Sequence, residues 1–541
     1  MTRSEPAAAG SVFSGPPLSE IGHLIDVGRV DELLGRTAGR APKSTALRSP
    51  SGDWTYAELD ADVDRCASAL HRLLGGPDVV IALAAVLDAS FAIGYYGISR
   101  SGNVSAIVNP FLTEDRLVHV LATSGARAAI VSPEVYRRLA AVRSRLPQLE
   151  TVVLTARGED SDAELAALPT LRELLDGAAP AATEYPHGDD VACLQFTSGT
   201  TGAAKAARLT HRNLIVNAAQ TAYGHRLTES SVVFNYLPTF HLMHLSIAVT
   251  AGATHVLWPS NDIAGSVDAA NAHRATHYYS LPMRLARLAA DPRFTALEAP
   301  ALRAVLSGGS ALAPAVTTAL SQHFGVPVVQ GYGLAETAPS THLGDLDNPR
   351  IGSSGLPVPG TDCRIVDVET RAVVPIGARG EIQVRGPQLM RGYLGREGAS
   401  FTDADGWFST GDIAYVDDAG QLFVVDRLKD VFKCDNWLVS PTEIERILLR
   451  HPDVADCVVF DWPDEFSGAV AHAVVVPKSG RETADTAAFA EFVNAKVPYY
   501  EQLRHIELVS DIPRSPTGKV QRRELREQFI AGRAGSRPRA N

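Results

Sequence analysis

The chain is expected to fold as an α/β protein. A large N-terminal domain with mainly parallel sheets, including a β-rich subdomain, precedes a small α+β C-terminal domain. Short apolar runs alternate with amphipathic stretches up to about residue 359, the pattern of strands and helices that builds parallel sheets. Beyond residue 359 short strand-like runs are separated by Gly and Asp turns. From residue 441 a helix, strand, strand, helix order follows, enough for a compact unit of its own. The 541 residues, about three to four times a typical domain, also call for more than one unit.

In chain order, 1–20 is rich in Ala, Ser, Gly and Pro and is expected to be flexible; it lacks the apolar core of a secretory signal. Helical periodicity marks Tyr56–Leu74 and 114–123. Strand-length apolar runs occupy 79–87, 128–132, Thr151–Leu154, 232–236, Ala304–Ser307 and 326–330. The longest apolar stretch, 79–98, is broken by Asp88, Ser90, Gly94 and Gly97. It predicts a buried strand followed by a helix, not a membrane span. In the β-rich part, 363–366, Gly380–Arg385 and 421–425 are expected strands. After a boundary near 426–430 come a helix over 441–450, strands over 456–461 and 471–477, and a helix over 486–496. The expected limits are therefore 21–427 for the N-terminal core, with its β-rich part at about 359–427, and 428–530 for the C-terminal domain. A flexible tail, 531–541, closes the chain.

Hydrophobic residues make up 45% and charged residues 21%, the balance of a globular protein. The formal charge is −11, and Lys and Arg form no long block, which argues against a nucleic-acid partner or an anionic membrane. The 5 cysteines, Cys66, Cys193, Cys363, Cys434 and Cys457, lie far apart with no CxxC spacing. Neither a zinc site nor a disulfide framework is expected, and a reducing cytoplasm fits best.

Four motifs carry chemistry. Thr197-Ser198-Gly199-Thr200-Thr201-Gly202-Ala203-Ala204-Lys205 follows an apolar run. Its glycines can aim backbone N–H groups into a concavity, its hydroxyls add donors and Lys205 adds charge, a nest suited to polyphosphate. It is not a Walker A loop. Gln330-Gly331-Tyr332-Gly333-Leu334-Ala335-Glu336-Thr337 closes an apolar strand, where α/β proteins place ligands. There Tyr332 can stack on a flat ring, and Glu336 offers a hard oxygen for phosphate-bound Mg²⁺. Ser409-Thr410-Gly411-Asp412, with Arg427 further on, can present a carboxylate to a ribose diol. Pro513-Arg514-Ser515-Pro516-Thr517-Gly518-Lys519-Val520 fixes a loop that can present one lysine. Each alone also reads as an ordinary turn or solvated loop.

Together, in this order, the motifs resemble the adenylate-forming superfamily of acyl-CoA synthetases, nonribosomal peptide synthetase adenylation domains and luciferases. Trp54-Thr55-Tyr56-Ala57-Glu58-Leu59, Asn109-Pro110, Pro238-Thr239-Phe240-His241 and Ser307-Gly308-Gly309-Ser310 add to the likeness, which runs from about Trp54 to Val520. The resemblance implies an ATP-dependent AMP-forming ligase. A carboxylate attacks the α-phosphate of MgATP, pyrophosphate leaves, and an acceptor takes the acyl group. It assigns the 197–205 loop to the β,γ-phosphates, Glu336 to Mg²⁺, Tyr332 to adenine, Asp412 with Arg427 to the ribose, and Gly308, Gly309, Ser310, Gly331 and Gly333 to the nucleotide. Lys519 would offset charge between the carboxylate and the α-phosphate. Lys429 would be the hinge on which a mobile C-terminal domain turns, and Lys433 would line the acceptor channel.

The acid pocket is expected between His241, the Ser307–Ser310 turn and 333–338. Met243, Gly333, Leu334, Ala338 and Tyr279 suggest an apolar slot for an aromatic or medium-chain acid. Several positions depart from the family pattern. Ala204, Ala206 and Ala335 replace residues common there, and Asn436 stands where a glycine usually flanks the pantetheine arm. Glu501 lies in a stretch that commonly carries a lysine and does nothing for a CoA phosphate. CoA is the expected co-substrate; a non-CoA nucleophile (an amine, a carrier-protein thiol, or nitrite activated for diazotisation) is the alternative.

Overall fold

The structure is a computed structural model that describes residues 11–85, 88–157, 163–178, 188–197, 204–236, 242–396, 398–435, 437–464, 466–480, 485–514 and 520–534. Four sheets organise it. The first has six strands, in the spatial order Thr151–Leu154, Ala128–Val131, Val80–Ala84, Val104–Ile107, Val191–Phe196 and Ala206–Thr210. All pairings but the last are parallel. The second has nine strands. Six of them run parallel: Val328–Gly333, Ala304–Ser307, His277–Ser280, Val232–Asn235, Thr254–Leu257 and Thr45–Ser49. Antiparallel strands close both edges. The parallel strands are buried on both faces, which explains their unbroken apolar runs.

Helices Tyr56–Leu74 and Ala89–Arg100 pack together inside the largest core cluster. Thr55 and Glu58 form a capping box that starts the first, and Gly75 in the left-handed conformation ends it. The two helices touch so closely that a Cβ on Gly97 would lie 2.5 Å from Cys66 Sγ. The stretch 79–98 is a strand followed by a helix, as expected. No described helix is long and apolar enough to cross a membrane. All five cysteines are buried and unpaired.

A five-stranded antiparallel sheet follows, ordered Phe13–Ser14, Asp362–Val366, Gly380–Arg385, Phe408–Val416 and Leu422–Arg427. Its first strand departs from the flexibility expected for 1–20 in the described part, 11–20. Gly15 N–H donates to Thr361 O at 2.8 Å, and a Cβ on Gly15 would lie 2.1 Å from Val358 O. Small residues there permit close docking. The last sheet joins Trp437–Val439, Phe432–Cys434, Gly468–Pro477 and Val454–Asp464, with Leu503–Leu508 parallel to Gly468–Pro477. Helices Pro441–Leu448 and Thr486–Asn494 cover it around a separate apolar cluster. The final helix, Arg522–Ala534, extends past the expected limit at 530.

Candidate active site

The strand Val328–Gly333 ends in the second glycine motif, then turns through Ala335–Thr337 and returns as Ser340–Leu343. The turn is tight enough to dictate its residues. A Cβ on Gly333 would lie 1.8 Å from Pro339 O, and one on Gly331 would lie 3.2 Å from His342 O. Leu334 N–H donates to Pro339 O at 3.0 Å, and Ala338 takes a positive φ of 64°. Asn217, on the helix His211–Gly224, clamps the returning strand by bonding Ser340 N at 3.1 Å and Ser340 O at 2.8 Å. Gly331–Ala338 is thus a rigid wall.

Tyr332 projects from this wall with a half-buried ring, and its hydroxyl donates to Asp412 Oδ2 at 2.6 Å. Arg427 Nε meets Asp412 Oδ1 at 2.8 Å, across a register that pairs residues 412 and 427. Asp412 is 3% exposed. Burial pushes its carboxyl pKa up, against the opposing pull of Arg427 and the Tyr332 hydroxyl. Burial, then the Asp412 charge, pushes the Tyr332 phenol well above its ordinary value, so it stays a neutral donor. Each Asp412 oxygen accepts one bond here and retains capacity for a second, as a ribose diol requires.

Glu336 sits beyond the same strand end, 9% exposed, and its Oε1 accepts from the Tyr393 hydroxyl at 2.7 Å. Its carbonyl accepts from Met390 N–H at 2.9 Å. Lys205 Nζ lies 5.0 Å over the Tyr393 ring. The base of the first loop is closed by Thr197 N–H to Lys205 O at 2.9 Å and Lys205 N–H to Thr197 Oγ1 at 3.2 Å. Tyr393 therefore joins the carboxylate expected for the metal to the lysine expected for the phosphates. No motif pointed to it, because the contact exists only once distant loops are folded together. Gly308, Gly309 and Ser310 follow the neighbouring strand, with Gly309 at φ 87°, and Gln330 Oε1 accepts from Leu312 N–H at 2.8 Å to hold that turn beside the wall.

Several expected residues lie outside the described residues: Ser198, Gly199, Thr200, Thr201, Gly202, His241, Asn436 and Lys519. Met243 falls on the helix Leu242–Ala251, but its side chain is outside the described part. Tyr279 corrects the expected slot: it is 2% exposed among Ile247, Ala248, Leu306 and Val329, and its hydroxyl is 2.8 Å from His225 Nδ1. Lys433 is ion-paired with Glu369, not with Glu336 or Asp412. Glu501, the acid in the stretch that commonly carries a lysine, is taken up by an ion pair. It is buried, and Arg379 meets it at 3.1 Å while also reaching Glu443 at 2.6 Å. Lys429 lies in the turn after Leu422–Arg427, and partial burial lowers its pKa. Within that strand, Asp426 accepts from Ser440 Oγ at 2.8 Å and Thr442 N–H at 3.0 Å, which ties the end of the strand to the start of Pro441–Leu448.

Among the described residues no group of three or more His, Cys, Asp or Glu side chains could cage a metal. A single carboxylate such as that of Glu336 is nonetheless a hard oxygen donor that suits Mg²⁺ carried by a nucleotide's phosphates.

Comparison with known proteins bears on this geometry. Residues 34–394 match the family described as AMP-binding enzyme, and residues 443–519 match its C-terminal domain. A curated relative, 4-coumarate–CoA ligase 3 of Oryza sativa subsp. japonica, is 32% identical over 500 residues, covering 88% of this chain and 88% of the relative. A crystal structure of an anthranilate CoA ligase in complex with anthranoyl-AMP superposes with TM-score 0.83 at 25% identity, covering 94% of this chain and 98% of that one. ATP-bound MatB from Rhodopseudomonas palustris gives TM-score 0.83 at 27% identity, covering 93% and 99%.

Proposed function

Because the chain belongs to the AMP-binding enzyme family, within the adenylate-forming superfamily, we propose that it is an AMP-forming acid–CoA ligase acting on a small aromatic or medium-chain carboxylic acid. One observation carries this reading: at the end of a single strand, Tyr332 holds the buried Asp412 carboxylate and Tyr393 holds the Glu336 carboxylate. The 4-coumarate and anthranilate in the names of similar proteins support an aromatic acid, and the ATP-bound neighbour supports the nucleotide.

In this reading Tyr332 offers its ring face to adenine, while Asp412, oriented by Tyr332 and Arg427, accepts from the ribose hydroxyls. Thr197 and Lys205 close the base of the loop to which the β,γ-phosphates are assigned. Glu336, positioned by Tyr393, would hold Mg²⁺, which supplies charge neutralisation on the phosphates. The acid's carboxylate oxygen then bonds to the α-phosphorus as the α–β bridging P–O bond breaks, and pyrophosphate carries off the electron pair. Lys519 would neutralise the charge between these partners, and His241 would gate the acid pocket lined by Gly333, Leu334 and Ala338. In the second step the CoA sulfur, its proton lost, attacks the acyl carbon and AMP leaves. Lys429 would be the pivot between the two steps. The division into a core, 21–427, and a terminal domain, 428–530, belongs to the same proposal. Support for it comes from the separate family matches and the separate apolar cluster of the last sheet.

The test is AMP production from ATP across a panel of aromatic and alkyl acids, with and without CoA. CoA-stimulated AMP formation with an aromatic acid is the expected result. AMP formation indifferent to CoA would shift the acceptor to another nucleophile, and no AMP with any acid would overturn the reading.

A further inference from the structure

The nine-stranded sheet has two ends, and each carries a concavity. Its strands Val232–Asn235, Thr254–Leu257, His277–Ser280 and Ala304–Ser307 run parallel, and Gly308–Ser310 follow their carboxyl ends. Around their amino ends lies a cavity of about 590 Å³, walled by Arg48, Thr254, His273, Arg274, Thr276 and Arg303 among others. Four strand residues at a rise of ~3.3 Å each separate it from the candidate nucleotide cleft by at least about 10 Å.

The wall contains three guanidinium groups and no carboxylate, in a chain whose formal charge is −11. The neighbouring acids are engaged elsewhere or at the rim. Glu229 pairs with Arg40 at 3.1 Å, and the exposed Asp53 meets Arg48 Nε at 3.4 Å. Arg48 Nη1 approaches His273 Nδ1 at 3.5 Å, and burial together with Arg48 lowers the His273 pKa, so that ring is neutral at pH 7 and adds a polar atom without an opposing charge. Among the described residues no carboxylate pairs with Arg274 or Arg303, and both are exposed. Arg274 adopts a left-handed backbone with φ 53°, uncommon for a side chain of its size.

Arg274 and Arg303, with no carboxylate partner among the described residues, and Arg48, held only by Asp53, are like charges round one concavity that repel each other unless an anion joins them. Planar guanidinium forks match phosphate oxygens two at a time, and a cavity of this volume falls in the ~300–1,000 Å³ range of small-molecule sites. We propose that this cavity is a second anion site, taking a small molecule that carries two or more phosphate groups, at the end of the sheet opposite the nucleotide cleft. The proposal does not depend on the identity of the acid or the acceptor.

Calorimetric titration of the full chain with inorganic tripolyphosphate tests it. Two binding events are expected, one at each end of the sheet. The charge-reversed pair R274E/R303E should remove one event, or weaken it more than tenfold, while leaving CoA-stimulated AMP formation intact. K205A should affect only the other. The Trp258 ring lies 6.4 Å from that of His273 and gives a local fluorescence report of the cavity event, with W258F as the baseline. R274Q/R303Q repeats the test with a milder change. A single event that both arginine pairs leave untouched, or no binding of tripolyphosphate at all, overturns the proposal.

Discussion

At the scale of single residues, the site rests on hydrogen bonds that orient charged groups before a substrate arrives. Tyr393→Phe should leave Glu336 in place but free to rotate. We expect a KM for MgATP about tenfold higher with a smaller change in kcat, the size of one charge-assisted hydrogen bond (~1.4 kcal/mol); an unchanged KM would reduce Tyr393 to packing. Lys519→Ala should lower pyrophosphate exchange by about 10²–10³, or ~3 kcal/mol, with nucleotide binding retained, since it removes a donor to developing charge. Near-normal exchange in that variant would remove Lys519 from the mechanism. The residues that announce themselves in the sequence are those whose chemistry is local, such as the glycine turn around Tyr332. Tyr393 and Arg379 were silent, because a lone tyrosine or arginine acquires meaning only from partners brought in by folding. Tyr279 misled for the converse reason: its apolar bulk suggested a ligand slot, and the core claimed it.

At the scale of elements, two features have predictable energetics. Gly333→Ala would drive a Cβ into Pro339 O, a backbone atom that cannot yield. We expect ~1–3 kcal/mol of destabilisation and loss of AMP formation, measured by denaturant unfolding and AMP release. Arg379 serves Glu443 and Glu501 together from the rim of the antiparallel sheet, and its side chain is 35% exposed. Solvent screening moderates its removal, so Arg379→Ala should cost about 1–2 kcal/mol and hasten proteolysis of the terminal helices, with Arg379→Lys recovering part. Equal proteolysis rates in all three proteins would show the clasp to be decorative. Most strands and helices were legible from period and composition, because parallel strands buried on both faces leave unbroken apolar runs. The edge strand Phe13–Ser14 was not, since small residues chosen for close approach read as looseness in a sequence.

At the scale of the whole molecule, buried histidines set the response to acid. His225, His255 and His342 are held down to about 3, and His211 and His277 to about 4, chiefly by burial. In the unfolded chain each titrates near ~6.5, so between that value and 4 the unfolded state binds more protons. The stability these neutral rings contribute is whole above pH ~6.5 and is lost as pH falls through their folded values, at up to ~1.4 kcal/mol per pH unit for each ring. The midpoint of thermal unfolding should therefore drop steeply between pH 6 and pH 4.5 (~7 °C or more), as marginal stability allows. A flat profile over that window would mean that the rings charge without unfolding the chain.

Asp426 and Arg427 are consecutive, and a strand turns successive side chains to opposite faces. One holds Ser440 and Thr442 of the following segment, and the other grips Asp412. A single peptide link thus separates the partner of Asp412 from the mooring of the helix Pro441–Leu448. Inserting one residue between them would turn one of the two side chains to the wrong side of the sheet, so the spacing at this junction has no slack even where surrounding loops can grow or shrink.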